Sequence, residues 1–454
     1  MVTRFLVGPR TKYLVLVFWV IVFAFVGSLS SKLTGAEKND AKSWLPGGVE
    51  STRVLDLEST FHSPNTIAAV VVYTRSAGLE LRDRAKIVSD AQRFARLAPI
   101  SSRITGPIRS ADGKAAEVIV PFNLGHNGWS RANTVVAKMR AIAVTDPGLT
   151  VHITGQAGYA ADSANAFKGI DSTLLFAALA VVIVILLLTY RSPFLWLLPV
   201  ISAAAALATA QGVIYLLAKH SGLTVNAQSA GILTVLVFGA STDYALLLVA
   251  RYREELRRHK DRHEAMAFAI RRAGPAIIAS ASTVTVGLLC LLLAETNSTK
   301  GLGPVAAIGV VIGLLSMITL LPALLVTVGR WIFWPIIPRY GSPEPTTTGF
   351  WARVGNWIAR QPRRVWVITA LVLAVASFGL LDLKANGLTN QQSFRGHPDS
   401  VVGEQVLAQH FPAGSGSPVV VIADASSASR VHHALSAVPG IVSVSPATVQ
   451  DGKV

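Results

Sequence analysis

Val237-Phe238-Gly239-Ala240-Ser241-Thr242-Asp243-Tyr244-Ala245-Leu246-Leu247-Leu248-Val249-Ala250-Arg251-Tyr252-Arg253-Glu254-Glu255 places one carboxylate inside an apolar run that then ends abruptly in charge. The run 223–250 is long enough to cross about 30 Å of hydrocarbon as a helix. Asp243 lies within it, well short of Arg251, about 12 Å further along the axis. A carboxylate at the centre of a membrane helix costs roughly 2.5 to 3.5 kcal/mol on insertion scales, and so short a side chain cannot reach the interface. It is therefore expected to face the interior of a helix bundle and to mark an ion or proton path. A low-dielectric setting favours the neutral form of a carboxyl group, the condition for loading and unloading protons, and the Tyr244 phenol can donate a hydrogen bond to it or relay one through water. The competing reading is an interhelical hydrogen bond that only ties helices together.

Six further apolar runs, 13–31, 172–190, 193–218, 276–294, 302–328 and 365–381, bring the expected spans to seven. The first is flanked by Arg4, Arg10 and Lys12 and fits a signal peptide or an anchored helix; its length favours the helix. Composition agrees with a membrane protein, since 51% of residues are hydrophobic and only 15% charged, against about a quarter in soluble proteins. The net charge of +16 does not point to nucleic acid, because no zinc spacing or RNA-binding signature accompanies it. Basic loops beside the spans account for it. Cys290, the only cysteine, excludes an intramolecular disulfide and is expected to be a small packed side chain.

Orientation follows from the short loops. Residues 251–272 carry Arg251, Arg253, Arg257, Arg258, Lys260, Arg262, Arg271 and Arg272, whereas 295–300 is nearly neutral. The former loop is expected to be cytoplasmic, with the N-terminus, Arg191 and the basic stretch from Arg330 to Arg364 on the same side. Residues 32–171 then form a soluble domain on the outer side. Strands are expected over 66–74, 100–106, 116–122 and 150–154, and helices over 80–97 and 130–144. The order β-α-β-β-α-β is that of a ferredoxin-like α+β domain, with an unrelated α+β insertion as the alternative.

An internal repeat organises the chain. Ser43-Trp44-Leu45-Pro46 and Ser393-Phe394-Arg395-Gly396 lie 350 residues apart, as do Phe61 and Phe411, and Pro9-Arg10-Thr11-Lys12 is echoed by Pro362-Arg363-Arg364. Such repeats in membrane proteins imply two homologous halves about a pseudo-twofold axis. After Phe411 a strand over 418–423, a helix over 425–438 and a strand over 441–444 are expected, and the second half is cut short.

The string from Gly239 to Glu255 resembles the fourth-helix signature of the MMPL family of the RND superfamily. Thr154-Gly155 followed by Asp162, Leu302-Gly303-Pro304, Leu320-Leu321-Pro322-Ala323-Leu324-Leu325 and Gly329-Arg330-Trp331-Ile332-Phe333-Trp334-Pro335 are similar to actinobacterial members. The resemblance covers essentially the whole chain. It implies an α-helical polytopic membrane protein with an extracytoplasmic porter domain, an RND-type half-transporter in which Asp243 and Tyr244 form half of a proton relay. It divides the chain into a cytoplasmic N-terminus and first span (1–31), a first porter domain (32–171), five spans (172–328), a cytoplasmic linker (329–364), a seventh span (365–381) and the truncated start of a second porter domain (382–454). Family members carry a second bundle with a second Asp-Tyr pair. The expectation is thus a fragment of a longer product, or a chain completed by a separate polypeptide.

The implied function is proton-driven export of lipids or other hydrophobic or amphipathic molecules across the cell membrane. The alternative is a non-transporting sterol- or lipid-sensing module, which the block of spans two to six also resembles. Ser280, Ser282, Thr283 and Thr285 either line a hydrated path facing Asp243 or serve close packing. Gly231, Gly239, Gly309 and Gly313 are expected to permit close helix contacts, since none belongs to a Walker-type run. His259 and His263 have i, i+4 spacing but no third ligand, and read as a solvated helix face. No cofactor, metal, nucleophile or nucleic-acid partner is expected. Residues 349–360 read as an amphipathic helix on the cytoplasmic surface.

Overall fold

The computed structural model describes residues 7–38, 41–61, 66–97, 104–123, 128–342, 350–383, 392, 394, 396–412, 419–441, 444–450 and 452–454. The first helix, α1 (Thr11–Phe25), continues as a 3-10 segment to Lys32. Its Trp19 Nε1 donates to Thr319 Oγ1 at 2.9 Å, which ties it to the bundle.

The sheet domain begins with helix α2 (Glu50–Phe61) and strand β1 (Thr66–Thr74). Helix α3 (Leu81–Phe94), strands β2 (Thr105–Arg109) and β3 (Ala115–Asn123), helix α4 (Gly128–Ile142) and strand β4 (Thr150–Thr154) follow. The strands form one antiparallel sheet in the order β2-β3-β1-β4, with Val70 opposite Ile119 on one side and Thr154 on the other. The expected strand 100–106 corresponds to β2, displaced toward the C-terminus, and residues 98–103 lie outside the described residues.

In β1 the run Ala69 to Tyr73 is buried on both faces. Ile67, Ala69, Val71 and Tyr73 pack with Phe94 of α3 and Val136 and Met139 of α4. Val70 and Val72 face the other way. Arg75 at the end of β1 grips Asp83 of α3 through two bonds, Nε to Oδ2 at 2.7 Å and Nη2 to Oδ1 at 2.8 Å. The Arg75 hydrogen bonds hold the Asp83 carboxyl below its ordinary range, against the effect of its burial.

After β4 the chain turns directly into α5 (Gly155–Tyr190), 36 residues long. Gly155 has φ +73°, and a Cβ there would meet Val70 Cγ2 at 2.9 Å and Ala68 O at 3.1 Å. Only glycine permits that turn so close to β1. The helix runs unbroken past residue 172, so the expected second span is the C-terminal part of an element that starts at the sheet.

The bundle is completed by α6 (Leu197–His220), α7 (Ala227–Arg258), α8 (Arg262–Leu289) and α9 (Asn297–Val328). Six stretches are long and apolar enough to cross a membrane: Thr11–Lys32, Leu197–His220, Ala227–Arg258, Arg262–Leu293, Asn297–Phe333 and Pro362–Asp382; Leu175–Tyr190 is a shorter apolar stretch. Small residues set the helix approach. A Cβ on Gly309 of α9 would collide with Leu233 and Val237 of α7, and one on Gly313 would lie 2.8 Å from Ser241 Oγ. Gly239 departs from this expectation: a Cβ there meets nothing within 4 Å, because it lies on the uncovered side of α7. Asn226 caps α7, accepting the Ser229 N–H at 2.8 Å.

The basic segment 251–272 is mostly helix ends, with residues 259–261 as the turn. Arg330 fastens this turn, donating to the carbonyls of Leu256 at 2.7 Å, His259 at 2.6 Å and Pro338 at 2.7 Å. The two histidines are not a solvated helix face. His259 caps α7 and stacks on Phe268 at 4.7 Å, and His263 Nδ1 donates to the Val7 carbonyl at 2.7 Å. Cys290, expected to be packed, is exposed, because it falls at the end of α8 where little covers the helix.

Two helices, α10 (Phe350–Arg360) and α11 (Pro362–Ser377), meet at Gln361, and no residue of α11 is buried. Helix α12 (Asp399–His410) returns to the sheet domain, where Leu407 and Phe411 pack on Val70, Val72 and Ala115 and cover the second face of β1. Helix α13 (Ala428–Ser436) matches the expected helix. Residues 419–423 are not a strand as expected; Ala423 pairs only with Val454, through two backbone bonds of 2.8 Å. A strand needs neighbouring strands, and that bridge is the one partner among the described residues. Residues 418, 442 and 443 lie outside the described residues.

Candidate functional site

Helix α7 carries one uninterrupted uncovered stripe: Gln228, Ile232, Val235, Gly239, Asp243, Leu247 and Ala250 are all exposed. Spacings of three and four residues put them on one helical face. The opposite face is packed, with Leu233, Val237, Ser241, Ala245, Leu248 and Tyr252 fully buried in the bundle core. Asp243 thus stands in the middle of a face that no other described segment covers. No salt bridge or hydrogen bond to its carboxylate is present among the described residues.

Tyr244 is placed differently. Successive residues on a helix are turned about 100° apart, and the Tyr244 side chain is 3% exposed and packed in the core. The two residues expected to act together therefore point apart, the carboxylate outward and the phenol inward. On α8, Ser280, Ser282 and Thr283 are exposed and Thr285 is half-buried. Thr283 Oγ1 donates to the Ala279 carbonyl at 2.9 Å, within its own helix. Among the described residues no hydrogen bond brings any of these four hydroxyls to Asp243 or Tyr244.

Ser241, two residues before Asp243 and so about 200° round the helix from it, on the packed face, is not among the residues the sequence reading selects. Its Oγ is buried without a hydrogen-bond partner among the described residues and lies against Gly313 of α9. On the same helix α9, Ser316 Oγ donates to the Ser202 carbonyl of α6 at 2.8 Å. The only signal for these contacts is the abundance of small residues in α6, α7 and α9.

A second polar constellation joins the C-terminal segment to the sheet domain. Asp399 at the start of α12 accepts from Arg140 Nε at 3.0 Å, from Ile153 N–H at 3.0 Å and from His152 Nδ1 at 2.9 Å. Arg140 also pairs with Asp162 of α5 at 2.9 Å, and Asp162 accepts the Ser400 N–H at 2.9 Å. Burial opposes ionisation of Asp399, yet the bonds from His152 and Ile153 and the nearby Arg140 hold its carboxyl below the ordinary range. At the far end of α12, His410 Nδ1 lies 2.6 Å from Asp112. Glu117 of β3 is buried, and burial pushes its carboxyl up. Of this constellation, the sequence had marked only Asp162. Among the described residues no three His, Cys, Asp or Glu side chains converge as a metal site.

The long apolar helices, the four-stranded domain fed by α5 and the carboxylate on α7 define a polytopic membrane protein with a sheet domain outside its bundle. Residues 43–365 match the family model described as the MMPL family, and the chain belongs to that family. It is 54% identical over 447 residues to ActII-3 of Streptomyces coelicolor, described as a membrane protein, covering 98% of this chain and 63% of that one. The apo-petrobactin exporter of Bacillus anthracis is 29% identical over 93% of this chain and 62% of its own length. The sulfolipid-1 exporter MmpL8 of Mycobacterium tuberculosis is 28% identical over 98% of this chain and 42% of its own length. The chain thus spans less than two thirds of the relatives it matches.

Proposed function

We propose that this chain forms the N-terminal half of a proton-driven exporter of lipid or other amphipathic molecules, with Asp243 as the titrating group. The observation that carries the reading is the position of Asp243 within an uncovered apolar stripe of α7. Leaving a carboxylate against lipid costs roughly 2.5 to 3.5 kcal/mol, so a covering partner is expected on that face. A second helical half, supplied by further sequence or a separate chain, would bring a facing polar group and enclose a proton path. Two exporters of amphipathic compounds among the relatives support the same class of cargo. The division of the chain proposed from sequence is retained, with 32–171 as the first porter domain, 382–454 as the start of the second, and the N-terminus cytoplasmic. The strand order β2-β3-β1-β4 supports a ferredoxin-like plan for the first of these.

Export works in this reading because a proton taken up by Asp243 from one side removes the cost of its charge and permits a different helix packing, which α5 passes to the sheet domain as one continuous element. Tyr244 then acts from the core side, supporting the packing of α7 and joining the relay only after rearrangement. The test is Asp243→Asn in the complete protein, assayed as proton-coupled efflux from vesicles. The isostere keeps polarity and loses titration, so export is expected to vanish at unchanged abundance. Undiminished export would refute the assignment. Tyr244→Phe is expected to act more weakly, since water can replace a hydroxyl more readily than a carboxylate.

A further inference from the structure

The corner between α10 and α11 carries charge that no carboxylate among the described residues answers. Arg360 ends α10, and Arg363 and Arg364 lie in the first turn of α11; with Gln361 and Pro362 they line one shallow concavity. Arg353 lies two turns back on α10. From Phe350 to Leu381 the sequence contains these four arginines and not one carboxylate. None of the four guanidinium groups pairs with a carboxylate among the described residues; the Arg364 Nη1 makes a long 3.4 Å contact to the Gln361 side chain.

The backbone at this corner adds to the same potential. α10 closes at Gln361, whose N–H reaches the carbonyls of Trp357 at 3.3 Å and Ile358 at 3.2 Å, and α11 starts at once with Pro362. Pro362 has no N–H and the Val365 N–H donates to the Gln361 carbonyl at 3.1 Å, which leaves the amides of Arg363 and Arg364 in the first turn of α11 without an intrahelical acceptor, at the positive end of the helix dipole. Apolar surface flanks the charge: Trp357 is 56%, Ile358 41% and Trp366 70% exposed. On α10, Val354, Trp357 and Ile358 recur at helical spacing, and Trp357, four residues after Arg353 and three before Arg360, lies where this apolar face borders the two arginines.

We propose that this corner is a binding site for the phosphate headgroup of an anionic phospholipid, with α10 lying in the interface and Trp357, Ile358 and Trp366 entering the acyl region. The occupant is a lipid and not a soluble anion because the apolar face is continuous with the cationic concavity. It is not an acidic protein, because α11 is itself long and apolar enough to be a span, which places the corner at the membrane surface. Arginine forks match phosphate oxygens bidentately, and three converge here. The site is independent of the export reading and of which leaflet it faces.

Native mass spectrometry of the detergent-purified chain, titrated with phosphatidylglycerol or phosphatidylcholine, tests this. Each basic residue near an anionic surface is worth about fivefold, so Arg360→Gln/Arg363→Gln/Arg364→Gln is expected to lose roughly a hundredfold in phosphatidylglycerol affinity and to leave phosphatidylcholine binding unchanged. The corresponding triple lysine variant keeps the charge and is expected to keep most of the preference, which separates loss of the site from loss of the fold. Arg258→Gln/Arg271→Gln/Arg272→Gln removes equal charge from exposed positions elsewhere and is expected to have little effect. Unchanged affinity in the first variant, an equal loss in the lysine variant, or an equal loss in the Arg258/Arg271/Arg272 control overturns the proposal. Displacement by soluble glycerophosphate as effective as the lipid itself would also overturn it, since the apolar face would then contribute nothing.

Discussion

Asp399→Ala should release α12 from the sheet domain. In the native contact the carboxylate accepts three hydrogen bonds, from Arg140, His152 and Ile153 N–H, each between 2.9 and 3.0 Å. A hydrogen bond to a charged group contributes about 1.5 to 3 kcal/mol. The three are coupled and the side chain is 30% exposed, and Arg140 keeps its second partner Asp162, so the losses do not add. A net cost of about 3 kcal/mol is reasonable, which raises the undocked population roughly a hundredfold. The remaining hold is the apolar contact of Leu407 and Phe411 with Val70 and Val72. Amide exchange across residues 399–410, corrected for intrinsic rates, should therefore quicken about a hundredfold, with β3 unaffected. The pH dependence has a defined sign. A carboxyl held below its ordinary range stabilises docking fully above about pH 4 and loses that contribution as pH falls through its lowered value. Wild-type protection should fall in acid for that reason, and Asp399→Asn should remove this component. Unchanged exchange of α12 in Asp399→Ala would refute the view that this constellation holds the two segments together.

Other outcomes follow from the packing. Gly309→Val should destabilise the bundle by about 1 to 3 kcal/mol, seen as a lower melting temperature in detergent, because its Cβ collides with Leu233 and Val237, whereas Gly239→Ala should be neutral. Asp243→Leu should stabilise the chain expressed alone by roughly 1 to 3 kcal/mol, as its face is uncovered; a destabilisation would mean that the carboxylate has its partner within this sequence. Arg75→Ala should destabilise the sheet domain by removing both bonds to Asp83 and leaving that carboxylate without its cation, measured as lost protease resistance. In a Cys290→Ala background, Ala111→Cys and Asn297→Cys should react with a membrane-impermeant thiol reagent from outside and Lys260→Cys should not; the reverse pattern would overturn the proposed orientation.

The sequence alone determined the elements that depend on local pattern. An apolar run of twenty residues can be satisfied in a membrane only as a helix, so the spans were legible, and six of them stand as long apolar helices. β1 was legible to the residue because nine successive β-branched, apolar and aromatic positions suit a strand. That both its faces are covered, the second by α12 more than 300 residues further on, was decided only by the tertiary structure. The bond between Arg140 and Asp399 spans 259 residues, and no local periodicity records such a partner. Asp243 was visible because a carboxylate in hydrocarbon is costly wherever it points. That it faces outward while Tyr244 faces inward was decided by rotation of α7, which the packing of Gly309 and Gly313 against Leu233, Val237 and Ser241 fixes. Hydropathy is a property of each residue and its neighbours along the chain; the direction a helix face points is a property of what packs against it.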